Sequence, residues 1–63
     1  MAWIEFHVKA SGDPILVSVD QIVRIGVAVG DGKAPGTFIK QVDGSTVEVI
    51  EEYGDVVRKI TGA

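Results

Sequence analysis

Hydrophobic and polar positions alternate at the start of the chain. Ala2, Ile4, Phe6, Val8 and Ala10 fall on one side, and Trp3, Glu5, His7 and Lys9 on the other. A period of two sends successive side chains to opposite faces of an extended backbone, so residues 2–10 predict a half-buried strand. Ser11-Gly12-Asp13-Pro14 is a cluster of turn formers. Ile15 to Val19 is a second apolar run, so the two segments predict a hairpin. Asp20-Gln21-Ile22 reads as one tight turn before the chain extends again.

Ile22 to Val29 is rich in β-branched residues. Simple alternation puts Val23, Ile25, Val27 and Val29 on one face and Ile22, Arg24, Gly26 and Ala28 on the other. The small residues of the second face imply close approach by another backbone or side chain. Thr37 to Val42 predicts a fourth strand and Thr46 to Ile50 a fifth, joined at Asp43-Gly44. Asp-Gly between strand formers signals a tight hairpin, because both residues tolerate positive φ. The period then changes. Tyr53, Val56, Val57 and Ile60 follow i, i+3, i+4, i+7 spacing, the stripe of an amphipathic helix over about residues 51–60. Glu51, Glu52 and Asp55 at its start and Arg58 and Lys59 near its end match the helix dipole, and Gly62 is the predicted stop. The expected fold is mainly β. A small antiparallel sheet of four to five strands, able to curl into an open barrel, carries one short C-terminal helix within a single domain over 1–63.

Length sharpens this picture. A chain of 63 residues buries only about 60% of the surface that it exposes when unfolded. Domains of this size draw on disulfides, metals, a dense core or oligomerisation. The chain has no cysteine and a single histidine, which rules out disulfides and ordinary zinc sites. With 46% hydrophobic residues and a mean hydropathy of +0.30, a second copy covering apolar surface is the expected support. No basic leader precedes an apolar run, and no segment approaches the roughly 18 apolar residues of a membrane span. The expectation is a cytoplasmic chain without membrane contact. A net charge of −3 and scattered Lys and Arg argue against nucleic-acid binding.

Val29-Gly30-Asp31-Gly32-Lys33-Ala34-Pro35-Gly36-Thr37 is the segment that most resembles a site. A phosphate loop needs glycine five positions before the Gly-Lys pair, a hydroxyl residue after it, and a helix to follow. Here those places hold Val27, Ala34 and a strand. The amide cradle of a helix N-terminus is therefore missing, and the segment reads as a hairpin loop. Asp31, Gly32, Lys33 and Pro35 are its candidate contacts with a partner or small ligand.

Other candidate chemistry is sparse. His7 shares its face with Glu5 and Lys9, and no spacing joins it to Ser18 or Thr37 as a nucleophile. It reads as a surface or subunit-contact histidine. Glu48, Glu51, Glu52 and Asp55 form no regular ligand loop and read as a solvated helix start. No catalytic residue, metal or cofactor is expected. Trp3 faces away from Ile4, Phe6 and Val8, and two readings stay open. Either the strand end twists and Trp3 packs under the helix, or Trp3 anchors an interface, as tryptophan often does. Trp3, Ile22, Ala28 and Phe38 are the candidate interface residues.

Pro14 to Ile25, Gly36-Thr37-Phe38-Ile39, Asp43-Gly44 and Val47 to Val57 together resemble the FlbD-like proteins. These are small bacterial proteins, motility-associated or borne on mobile elements and phages. The turn where that family places Asn-Pro-Asp/Glu-Leu-Ile is Ser18-Val19-Asp20-Gln21-Ile22 here. The resemblance implies a non-enzymatic module and brings no catalytic residues with it. The expected function is protein–protein association, first with a second copy as a dimer or larger homo-oligomer, and then with a protein partner of unknown identity. The alternative is a small-ligand or peptide module using the 30–36 loop and a groove between subunits. Nucleic-acid binding on a barrel surface is the weakest of the three.

Overall fold

The computed structural model describes residues 2–29 and 35–62. Its elements are β1 (Trp3–His7), β2 (Pro14–Ser18), a 3-10 turn (Val19–Gln21), β3 (Ile22–Ala28), β4 (Gly36–Gln41), β5 (Thr46–Val49) and α1 (Tyr53–Thr61). The protein is mainly β, with five strands in two antiparallel sheets and one C-terminal helix. β1 pairs with β2, and β3, β4 and β5 pair in that order. No closed barrel forms among the described residues.

The β1–β2 register runs to His7, and the Val8 amide still donates to the Asp13 carbonyl at 2.9 Å, while the other edge of the chain gains a second partner. Val8 bridges to Val49. The Lys9 amide donates to the Glu48 carbonyl and the Ile50 amide to the His7 carbonyl, at 2.9 and 3.0 Å. The alternation that runs past His7 in the sequence thus serves a second ladder, which ties the two sheets together. The chain then turns at Gly12, whose φ of 77° suits glycine.

The β3–β4 register slips between Ile22 and Arg24, so Val23 is an extra residue in a β-bulge. This corrects the face assignment drawn from simple alternation. Ile22 joins Ile25 on the inner face, and both pack against the core. Arg24, Gly26 and Ala28 stay on the outer face opposite Lys40, Phe38 and Gly36. The close approach expected at Gly26 comes from the Phe38 ring, which lies where a β-carbon would stand. At Gly36 the Val49 carbonyl occupies the same place.

The turn at Asp43-Gly44 also differs from the expected two-residue hairpin. Only Gly44 has positive φ, at 90°. The Gly44 amide donates to the Gln41 carbonyl at 3.0 Å, and the Gln41 amide to the Ser45 carbonyl at 2.9 Å. The loop is Val42-Asp43-Gly44, a type I turn closed by glycine. The Ser45 hydroxyl and amide both donate to Asp43, at 2.6 and 2.9 Å. These bonds hold the Asp43 carboxyl below its ordinary value.

Phe6, Val17, Ile39, Val49 and Val56 form the buried core, one or more from each of β1, β2, β4, β5 and α1. Ile4, Ile15, Ile22, Ile25, Val47 and Ile60 close around it. The helix begins at Tyr53, two residues later than the acidic run implies, so Glu51 and Glu52 precede it. Val56 is its buried anchor, and the Lys59 ammonium lies 5.8 Å from the Phe6 ring centroid.

Candidate interaction surface

Trp3 stands on the outer face of the β1–β2 hairpin and is 60% exposed. This overturns packing under the helix. It is paired with Ser18, and Glu5 with Leu16. Leu16 is therefore the diagonal neighbour of Trp3 on the same face, and it is 64% exposed. Leu16 is absent from the residues expected at an interface. Its position opposite Glu5 was the missed signal, because the hairpin register assigns it to the polar face.

The other outer surface belongs to β3 and β4. Phe38 covers Gly26, and Ala28 follows one step along β3. Trp3 does not join this group. Across the sheet, Phe38 pairs with Glu48, whose carboxylate bonds the Lys9 ammonium at 3.2 Å. Trp3 opens β1, about 13 Å of extended strand from His7 at roughly 3.3 Å per residue, and Lys9 lies beyond His7. Ile22 faces inward. The candidate interface residues thus divide into a Trp3–Leu16 face and an Ala28–Phe38 face, with Ile22 packed beneath.

Between the two faces lies a polar latch. Glu51 accepts from the His7 backbone amide at 3.1 Å and meets the His7 Nδ1 at 2.8 Å. The Glu5 carboxylate approaches His7 Nε2 at 3.7 Å. The Thr37 hydroxyl, fully buried, donates to the Glu51 carbonyl at 2.8 Å. Burial pushes the Glu51 carboxyl up, but the hydrogen bonds from the His7 ring and amide outweigh it and hold the group below its ordinary value. Glu51 is therefore a fastener between β1 and the approach to α1, not part of a solvated helix start. His7 and Glu51 are 44 positions apart, so no local spacing announces the pair. Glu48 is engaged by Lys9 and Asp55 by Arg58. No cluster able to hold a metal occurs among the described residues, and no described helix is long and apolar enough to cross a membrane.

Asp31, Gly32 and Lys33 lie outside the described residues. Pro35, at the margin of that segment, is exposed.

The chain matches no protein-family model, no curated protein and no solved structure.

Proposed function

We propose that this chain is a non-enzymatic protein–protein association module whose first partner is a second copy of itself. One observation carries the reading. Among the described residues, eight large hydrophobic side chains are exposed, whereas five hydrophobic residues form the buried core. The exposed set is Trp3, Leu16, Val23, Val27, Val29, Val42, Ile50 and Tyr53. Isolated exposed aliphatics are ordinary on a protein surface. Here Trp3 and Leu16 are neighbours, and Val23, Val27 and Val29 follow one edge. A large aromatic beside an aliphatic on a paired hairpin is the composition of an interface anchor. The resemblance of the sequence pattern to FlbD-like proteins supports a non-enzymatic bacterial module of this kind, borne on a mobile element.

Mass action supplies the test. If folding and association are coupled, the thermal unfolding midpoint rises with protein concentration. The expected result is a midpoint that climbs steadily from low to high micromolar chain. A midpoint independent of concentration over that range contradicts self-association.

A further inference from the structure

We infer that the second copy docks along the open edge of β3, antiparallel and about a two-fold axis at Val27, so that two three-stranded sheets become one six-stranded sheet. The inference rests on the reading of the chain as a self-associating module and names the surface that does it.

The ladder itself shows which backbone groups are free. Among the described residues β3 pairs only with β4. The Gln41 amide donates to Ser45 across the β4–β5 hairpin, which makes Lys40 and Thr46 a non-bonded pair there. The N–H and C=O of Lys40 therefore point to β3, where its partner is Arg24. Hydrogen-bonded pairs then recur at every second residue. Arg24, Gly26 and Ala28 bond to β4, and Ile25, Val27 and Val29 turn their backbone groups to the open edge.

The side chains at those outward positions are apolar. Ile25 shares its row with Ile39 and Val47, and Val27 shares one with Thr37 and Val49, so both belong to the core face. Val27 is nevertheless 52% exposed and Val29 82% exposed. The sheet's inner face runs beyond the material that covers it.

Sheet edges are normally protected by charge, proline or a bulge. The edge of β2 starts with Pro14, and by the same alternation that residue turns outward. The first part of β3 has the bulge at Val23. Ile25-Gly26-Val27-Ala28-Val29 has no such device, and Arg24 is the only charge in β3.

The segment also complements itself. An axis at Val27 opposes Val27 to its copy, Ile25 to Val29 and Gly26 to Ala28. Every outward N–H and C=O of the segment then finds a partner, the inner faces merge, and no like charges meet. An axis one residue earlier runs into the bulge at Val23, so only the Ile25 and Val27 groups pair in regular register. Ala28 lies at this seam, and Phe38 one strand away.

The test uses two variants at one position and one control. The chain has no cysteine, so Val27→Cys gives a single thiol. The paired α-carbons at the axis would be about 5.5 Å apart, within the roughly 4.4–6.8 Å of natural disulfides. Val27→Cys is expected to form a covalent dimer on mild oxidation at least tenfold faster than Leu16→Cys, which probes the Trp3 face. Val27→Lys is expected to have the mass of one chain at concentrations where the unaltered protein has twice 6.7 kDa, with its circular dichroism unchanged. If Leu16→Cys crosslinks and Val27→Cys does not, the module associates through the other face, so this inference fails while self-association stands. If the unaltered chain is monomeric at high micromolar concentration, both fail.

Discussion

At the residue scale, the His7–Glu51 pair shows how a polar contact fastens a small fold. Glu51 is mostly buried and accepts from both the His7 ring and the His7 amide. Its folded carboxyl is held below the ordinary value of 4.5. Near that pH the unfolded chain therefore takes up the proton first. The stabilisation is complete above pH 4.5 and is lost as the pH falls through the lower, folded value. Glu51→Gln is expected to cost about 1–2 kcal/mol at neutral pH, with a shallower acid limb in urea unfolding between pH 6 and pH 3. An unchanged acid limb would mean that Glu51 contributes nothing to it. A second contact decides what position 26 can hold. A β-carbon at Gly26 would run into the Phe38 ring. Gly26→Ala is expected to destabilise by about 1–3 kcal/mol, and most of that cost should vanish when Phe38→Ala is added. Additive losses in this double-mutant cycle would show that ring and glycine are not coupled.

Neither contact was open to reading along the chain. Glycine among strand formers announces a close approach, but only the register identifies Phe38 as the neighbour. The histidine and its carboxylate come from opposite ends of the chain, so their pairing is a product of the fold.

At the element scale, periodicity carried far. Strict alternation marks β1, the β-branched run marks β3, and the change to helical spacing marks α1, because each pattern reflects one face turned to a shared core. Where local chemistry overrides the period, simple counting fails. The bulge at Val23 returns Ile22 to the inner face, and the turn takes up Val42 instead of stopping at Asp43. Gly44 has φ of 90° and open space around it, so a substitution there reports backbone strain alone. Gly44→Ala is expected to cost about 1–2 kcal/mol, and Gly44→Asn less, because asparagine tolerates positive φ. Equal stability of Gly44→Ala and the parent in urea titration would contradict this turn geometry. The ladder from Val8 to Val49 was hidden for a different reason: alternation reveals that a segment is extended and does not reveal its partner.

At the scale of the whole molecule, the governing fact is a core too small for the apolar surface that the chain carries. One residue from each of five elements fills the interior, while Trp3 and Leu16 on one face and Val27 and Val29 on one edge face solvent. Composition already pointed to this excess, but it could not say where the surplus lies. The hairpin register adds Leu16 to Trp3, and the hydrogen-bond alternation singles out Ile25 to Val29.

Self-association is tested most directly by the solution mass, followed by light scattering through a dilution series from high micromolar to nanomolar chain. The expected result is twice 6.7 kDa at high concentration, falling to a single chain on dilution. A mass of one chain at every concentration would contradict it.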